Sequence, residues 1–246
     1  MNLKTEGLIL RVVRFREADR FLRLLIPSGE VLEVLARSVG RSVKRFSGGL
    51  EPLSLQSFEL SRRRATWVAE QAQHVDDHLE LRRDLPRFYL ASYAAERTLA
   101  AAPCAGLFQL LGAFLGCLSV TPPDLLAMRL AFDLKLLDLS GVAPELEECV
   151  DCGAKLGAGR SSLDPAGAGF RCPAHADRDA AGFDAGVRAL LATLLQLDLP
   201  HLGRLSLSPA QRAGAERCVN HFLESHLPGP IRSEKLLGAC IRSGGE

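Results

Sequence analysis

Neither sign of charge is in excess over the whole sequence, which has 30 Lys and Arg against 29 Asp and Glu in 246 residues. The resulting net charge of +1 by itself argues against a strongly basic nucleic-acid-binding protein. Aromatic residues are also scarce, at 6% with a single Trp, so base stacking would be a minor part of any contact with nucleic acid. The 47% of hydrophobic and 24% of charged residues exclude a disordered or fibrous chain.

Motifs of catalysis are missing as well. The sequence has no Gly-rich phosphate loop, nucleophile elbow, H-E-x-x-H motif or pair of catalytic carboxylates. We therefore predict a binding protein rather than an enzyme, with no catalytic residues. Lys4, Glu6 and Arg11 interrupt any apolar run of a secretory signal, so we expect an intracellular, reducing compartment. In such a compartment, closely spaced cysteines favour a metal over a disulfide.

An uncharged run from residue 98 to 123 is long enough to cross a bilayer. Pro103, Gln109 and the pair Pro122-Pro123 interrupt it, and much of the remainder is Ala and Gly. We predict two buried helices that meet near Pro103, with no membrane partner.

Charge is divided unevenly along the chain. Residues 1–64 carry a net charge of +6, residues 65–150 carry −6, and residues 151–246 carry +1. The neutral total therefore hides a basic first segment, which is a typical sign of a nucleic-acid-binding face. The acidic middle is either a protein-docking surface or a solvated helix face.

The type of secondary structure changes near residue 77. Earlier runs are rich in β-branched and bulky apolar residues, and we place strands at residues 7–13, 21–26, 31–36, 53–60 and 66–73. Five short strands predict a small closed or partly open barrel. Apolar residues then recur at helical spacing, which predicts helices at about 79–93, 106–118, 121–141, 184–197, 208–227 and 231–241, with Thr121 and Ser208 as N-caps. The fold class is α+β.

The clearest chemistry lies in Cys149-x-x-Cys152, followed after 19 residues by Cys172-x-x-His175. Each tight turn can place two ligands about a tetrahedral metal, and four protein ligands leave no open position for a reactive water. The spacing predicts a structural zinc site. Free thiols, a redox pair and a zinc hydrolase with Glu147 or Glu148 as its base are weaker alternatives. We interpret His74 and His78 as solvated residues between the last strand and the first helix, and Cys218 with His221 as helix residues that bind no metal.

Basic residues cluster in two loops of the predicted barrel. We expect them to bind the phosphates of DNA or RNA, because phosphate contacts dominate non-specific affinity. Neutralising four or five phosphates of a single strand predicts a log–log salt slope of about −3 to −3.5. The candidate residues are Arg37, Arg41, Lys44, Arg45, Arg62, Arg63 and Arg64. Arg11, Arg14, Arg16, Arg20 and Arg23 add charge on and between the first strands.

Several segments resemble the RecO family of bacterial recombination mediators, in the same order over most of the chain. They are residues 5–10 (TEGLIL), 15–20 (FREADR), 36–46 (ARSVGRSVKRF), 50–53 (LEPL), 107–111 (LFQLL), 132–137 (FDLKLL) and 149–153 (CVDCG). His175 departs from the resemblance, since family members with a full four-cysteine site have Cys there. Neutral imidazole is also a zinc ligand.

The resemblance implies an N-terminal OB-fold nucleic-acid-binding domain at residues 1–77. A helical domain at residues 78–246 would follow, with a zinc-binding insertion at about 146–180. It also implies binding of single- and double-stranded DNA, annealing of complementary strands and recombinase loading on DNA coated by single-strand-binding protein. The implied partners are the RecR ring protein and the C-terminal tail of single-strand-binding protein. The implied location is the cytoplasm, at the nucleoid during repair. An RNA-associated or transcriptional OB and zinc module is the alternative.

Overall fold

The first part of the chain forms a barrel of five strands. The computed structural model describes residues 1–39, 45–46, 49–120, 124–178, 180–205 and 207–243. The strands are β1 (Asn2–Arg14), β2 (Arg20–Leu25), β3 (Val31–Ala36), β4 (Leu55–Arg63) and β5 (Thr66–Asp76). They are hydrogen-bonded in the order β1-β2-β3-β5-β4, and β4 closes the barrel on β1. Among the named strands, β3 pairs with β5 in parallel and the other neighbours pair antiparallel. This is the order of an OB-fold, so the predicted barrel is confirmed.

Alternation along the strands fills the barrel with apolar side chains. Leu22 and Leu24 on β2 point inward, while Arg23 between them is exposed. Phe46 and Phe58 lie in this core, which leaves few aromatic rings for other contacts. The buried cluster consists of Ile9, Leu22, Leu24, Ile26, Val34, Ala36, Phe46, Leu50, Phe58, Leu60, Ala69 and Ala72.

Helices follow the barrel. They are α1 (Leu79–Arg82), α2 (Leu85–Ala101), α3 (Leu107–Val120), α4 (Leu125–Leu139), α5 (Ala185–Gln196), α6 (Pro209–His226) and α7 (Glu234–Ser243). A 3-10 helix at Leu199–Arg204 precedes α6. The uncharged run holds the last turn of α2 and the whole of α3, with Pro103 between the two helices, as predicted. In the part of the chain that the structure describes, no helix is long and apolar enough to cross a membrane.

The helix starts follow from side-chain caps. The hydroxyl of Ser208 accepts from the backbone N–H of Gln211, and the Gln211 side chain accepts from the Ser208 N–H, so the predicted N-cap is confirmed. The prediction for α4 was wrong. Its N-cap is Asp124, whose carboxylate accepts from the N–H groups of Leu126 and Ala127, whereas Thr121 lies outside the described residues. The helix therefore starts after the Pro122-Pro123 pair rather than with it.

A second, small sheet lies between α4 and α5. Its strands are β6 (Glu145–Cys149), β7 (Ser161–Leu163), β8 (Gly169–Arg171) and β9 (Gly182–Phe183), in the order β6-β8-β7-β9. Phe170 on β8 packs edge-on against Phe183 and against Phe222 of α6. These rings give the sheet an apolar side that rests on the helix.

The chain divides into two compact units. One consists of Met1–Val120 with Ile231–Cys240, so it holds the barrel, α1 to α3 and most of α7. The other contains residues 124–230 and therefore holds α4, the small sheet, α5 and α6. The change from strands to helices falls between Asp76 and Leu79. The division into an OB domain at 1–77 and a helical domain at 78–246, with its insertion at 146–180, stays a prediction.

Candidate metal centre and nucleic-acid interface

Two turns of the small sheet bring four ligand side chains together. Cys149 ends β6, and Gly153 closes the turn after it with φ of 68° and an N–H bond of 2.8 Å to the Cys149 carbonyl. Cys172 follows β8, and the His175 N–H donates to the Cys172 carbonyl at 3.0 Å. Because β6 and β8 are parallel neighbours, both turns leave the sheet at the same end, and Cys152 faces the second turn.

The ligand atoms are spaced as a small ion requires. All four lie within 4.8 Å of one another. The sulfurs of Cys152 and Cys172 are 4.0 Å apart, and Nδ1 of His175 is 3.9 Å from the Cys149 sulfur and 3.2 Å from that of Cys172. A tetrahedral ion with metal–sulfur bonds of ~2.3 Å separates its ligands by about 3.8 Å. The predicted cluster is assembled and can hold a metal ion.

Electrostatics at the cluster favour the ionised form of two of its thiols, Cys149 and Cys172. For Cys152 the Ala154 N–H acts to lower the pKa, but the contact with the Cys149 sulfur and burial raise it. Burial of Cys149 acts to raise the pKa of its thiol, but backbone N–H groups, first that of Cys172, donate to the sulfur and bring the pKa down to about 6. The contact with His175 lowers the pKa of Cys172, and the same contact raises the pKa of His175. Thiolate is the form of cysteine that binds a metal.

Two arginines that the sequence analysis missed hold the turns in place. The Arg171 guanidinium lies 2.9 Å from Asp151, inside the first turn, and 2.9 Å from Asp164. Arg188 on α5 is buried and donates to the backbone carbonyls of Leu146 at 3.3 Å and Leu156 at 3.0 Å. That burial lowers the pKa of Arg188. Sequence spacing gave no signal for either contact, because the partners are distant in the chain or are backbone atoms.

The other Cys and His residues have structural contacts instead. Cys218 is buried in α6, and Nε2 of His221 donates to the Asp164 carbonyl at 2.7 Å. His78 was expected at a solvated junction, but it is buried and its Nδ1 donates to the Leu53 carbonyl at 2.9 Å. Nε2 of His74 lies 3.0 Å from Asp77. Among the described residues, the group that can hold a metal is the one at 149–175.

Two of the predicted phosphate-binding residues, Arg45 and Arg63, contact Glu70 on β5. Arg63 reaches its Oε1 at 2.8 Å, and Ser61 donates to the same oxygen at 2.6 Å. Arg45 donates from Nε to the Glu70 carbonyl at 2.8 Å and from a terminal nitrogen to the Ala69 carbonyl at 3.1 Å. Of the predicted set, Arg41 and Lys44 lie outside the described residues.

Three other members of the set are exposed. Arg37 follows Ala36, the last residue of β3, which is paired with Ala69 on β5, so it lies near the residues that hold Arg45. Arg62 places its guanidinium 5.6 Å from the centre of the Trp67 ring. Arg64 forms the tight β4–β5 turn with φ of 56°. These positions form a cationic surface on one part of the barrel.

The bonds around Glu70 also fix its own charge. The hydrogen bond from Ser61, assisted by Arg63, keeps the pKa of the Glu70 carboxyl below its ordinary value. Glu70 is therefore ionised at neutral pH, and it neutralises part of the cationic surface. Glu70 was not among the residues predicted for this site.

Comparisons with known proteins cover both parts of the chain. The family model "Recombination protein O N terminal" matches residues 1–75, and "Recombination protein O C terminal" matches residues 82–235. "DNA repair protein RecO" of Anaeromyxobacter dehalogenans strain 2CP-C is 34% identical, with 96% of each chain covered.

Two relatives from other organisms agree with this assignment. The protein of the same name from Heliobacterium modesticaldum is 32% identical over 98% of this chain and 90% of its own. That from Roseiflexus sp. strain RS-1 is 32% identical over 94% of this chain and 83% of its own. With both family models matched in order on a barrel and a helical region, the chain belongs to the RecO family of DNA repair proteins.

Proposed function

We propose that this protein is a recombination mediator that binds single- and double-stranded DNA and anneals complementary strands without catalysing a covalent reaction. The observation that carries the proposal is the cationic surface of the barrel. Arg37, Arg62 and Arg64 are exposed there, and Arg45 and Arg63 surround Glu70. Family membership supports a role in DNA repair.

Phosphate binding by this surface follows from its geometry. Arg62 to Arg64 occupy the end of β4 and the turn to β5, where the backbone of a DNA strand can approach without touching the barrel core. Arginine suits this task because its planar guanidinium pairs with two phosphate oxygens at once. Arg41 and Lys44 of the basic loop belong to the same proposed set.

Annealing requires two strands to approach each other against the repulsion of their phosphates. A surface that neutralises phosphates and leaves most bases free reduces this repulsion. The barrel fits this requirement, since Phe46 and Phe58 are in its core and most of its exposed arginines contact no ring. Contacts with phosphates do not depend on the base sequence, so this surface would bind any DNA, as a recombination mediator requires.

We assign structural zinc to Cys149, Cys152, Cys172 and His175. Three thiolates and one imidazole are ligands that zinc prefers, and four of them fill its tetrahedral shell. Arg188 and Arg171 bind the segments that carry the ligands. A bound ion would link the same two turns, and it would thereby hold the small sheet in one conformation. The ion would therefore stabilise the folded small sheet and would not take part in a reaction.

Two protein partners belong to the proposed function. We propose that the chain works with the RecR ring protein and the C-terminal tail of single-strand-binding protein to load recombinase on coated DNA, in the cytoplasm and at the nucleoid. The support is membership of the family that the sequence resembles.

The test is the variant Arg62→Gln, Arg63→Gln and Arg64→Gln, assayed for binding of single- and double-stranded DNA and for annealing. A matched control, Arg83→Gln, Arg178→Gln and Arg232→Gln, removes the same charge from exposed positions outside the barrel. We expect weaker binding to all sequences and a salt slope that is smaller by about 2, at ~0.7 for each lost phosphate contact. Annealing should slow in the barrel variant alone.

Equal loss in both variants would reduce the effect to net charge and contradict the barrel surface. Stronger binding of RNA than of DNA matched in sequence and length would favour the RNA-associated alternative. Unchanged annealing in the barrel variant would refute the proposed site.

A further inference from the structure

The far end of the β1–β2 hairpin exposes apolar side chains that the barrel does not use. Val13 is 44% exposed and Phe15 is 51% exposed. Val13 is paired with Phe21 across the hairpin, and the Phe15 N–H donates to the Asp19 carbonyl at 3.2 Å. Val13 and Phe15 therefore form a small exposed apolar patch next to charged residues, which is the setting in which an apolar patch can bind a partner.

Phe15 is held in place although it is more than half exposed. The Phe21 ring meets it at 67° with 4.7 Å between centroids, which is a favourable edge-to-face contact. The Arg16 guanidinium lies 5.3 Å from its centroid. A ring fixed in this way loses little entropy when a flat ligand stacks on it.

The arginines of the β1–β2 hairpin lie opposite like charges. Arg11 is directly opposite Arg23, and Arg14 is directly opposite Arg20, so two pairs of like charge face each other across the strands. Glu33 neutralises Arg23 at 2.6 Å. Arg11, Arg14 and Arg16 have no carboxylate within ion-pair distance in the part of the chain that the structure describes. Opposed like charges destabilise a hairpin, and a bound anion removes the penalty.

An aromatic ring beside unpaired guanidinium groups matches one ligand chemistry, a nucleotide with an unstacked base. We propose that the end of the β1–β2 hairpin is a stacking site for an unpaired base of single-stranded DNA. Phe15 is the platform, and Arg11, on the same face of the strand, and Arg16, over the ring, bind the flanking phosphates. The bases of a duplex are already stacked inside it, so this site distinguishes single strands from duplexes.

This inference rests on the proposed DNA-binding function and adds to it. The arginines near Glu70 would bind the phosphates of single-stranded and of double-stranded DNA, whereas Phe15 would stack only on an unpaired base. A mediator that anneals strands needs both properties, because it must prefer single strands before pairing and not trap the duplex afterwards.

The experiment compares two single-stranded oligonucleotides of equal length, one with bases and one built of abasic units, by fluorescence anisotropy. We expect Phe15→Ala to weaken binding of the base-bearing strand at least about fivefold and to leave the abasic strand and a duplex unchanged. Phe15→Leu keeps an apolar side chain without a ring and should behave like Phe15→Ala. Val13→Ala is the control on the same face and should match the unmodified protein.

Different results separate the inference from the proposed function. If the unmodified protein bound no DNA, the proposed function would fail. If it bound DNA but Phe15→Ala weakened both strands equally, or Phe15→Leu restored full affinity, stacking would be refuted while DNA binding stood. If Phe15→Ala bound both strands as tightly as the unmodified protein does but no longer bound anionic vesicles, the end of the hairpin would be a membrane-binding surface. That result would overturn the inference.

Discussion

Arg63 donates to Glu70 across the β4–β5 pair, with 2.8 Å between the guanidinium nitrogen and Oε1. The backbone carbonyl of the same glutamate accepts from Arg45 at 2.8 Å. An acidic residue thus lies inside the surface that we propose binds phosphates. It positions two arginines in the free protein, and it competes with DNA for Arg63.

Glu70→Gln should therefore strengthen DNA binding. The amide keeps a hydrogen-bond acceptor for Ser61 but no longer neutralises Arg63, so one more cation is available to a phosphate. We expect about two- to threefold tighter binding and a salt slope more negative by about 0.7. Glu80→Gln frees Arg83 from its 2.7 Å ion pair outside the barrel and is the charge-matched control. Equal gains in both variants would indicate a net-charge effect only.

The same carboxylate should make barrel stability depend on pH. Because the folded pKa of Glu70 lies below its ordinary value, its contribution to stability is complete above the ordinary pKa. It is lost as the pH falls through the folded pKa. The difference in free energy of unfolding between the unmodified protein and Glu70→Gln should be constant from about pH 8 to pH 6 and shrink below about pH 4.

Fluorescence of the single Trp can follow this unfolding, since Trp67 lies on β5 near Glu70. Urea titrations at each pH would give the two free energies. A difference that stays constant to low pH would contradict the assigned role of Glu70.

Metal removal should affect the small sheet and leave the barrel intact. We expect about one zinc ion per chain, lost in Cys149→Ser and retained in His175→Cys, because a fourth thiolate also completes a tetrahedral site. Cys104→Ser changes a thiol outside the cluster and serves as the control. Zinc analysis and proteolysis near residues 145–183 are the measurements. Full zinc content in His175→Ala would show that His175 is not a ligand.

Local sequence patterns were sufficient for the five barrel strands, the longer helices and the membership of the cluster, whereas the short strands β6 to β9 were not predicted. Alternation of apolar residues fixes strand faces, and the C-x-x-C and C-x-x-H spacings fit single turns, so these predictions needed no long-range information. The start of α4 was predicted wrongly at Thr121, because Thr is a residue type that commonly caps a helix, as is the Asp124 that caps it in the structure.

Long-range contacts were beyond the sequence for a physical reason. The pairing of β4 with β5 shifts register between Glu59 and Leu60, and Glu70 is the residue without a partner at that bulge. A bulge redirects side chains, so the meeting of Glu70 with Arg63 depends on one extra residue in β5. The contacts of Arg188 with distant carbonyls could not be predicted either, because every residue has a backbone carbonyl and the sequence does not indicate which one an arginine will bind.

Thiol reactivity should separate the cluster from the spectator cysteines. Burial raises the pKa of Cys218 to about 12, and thiolate is the reactive form. We expect Cys218 to resist alkylation at about pH 8 in the folded protein, with or without metal. Cys172, whose pKa is lowered by the contact with His175, should react in the metal-free protein and be protected by zinc. Mass spectrometry of alkylated peptides gives both rates, and rapid labelling of Cys218 before unfolding would contradict its burial.

A substitution at Gly169 should impair metal binding without changing a ligand. Gly169 has φ of 150°, and a Cβ there would lie 2.3 Å from the backbone oxygen of Glu145, so Gly169→Ala must separate β6 from β8. Because the two turns that carry the ligands leave these two strands, their separation should lower zinc affinity at least about tenfold. Gly157→Ala, which meets no atom within 4 Å, is the matched control. Equal zinc affinity in the two variants would show that strand pairing does not position the site.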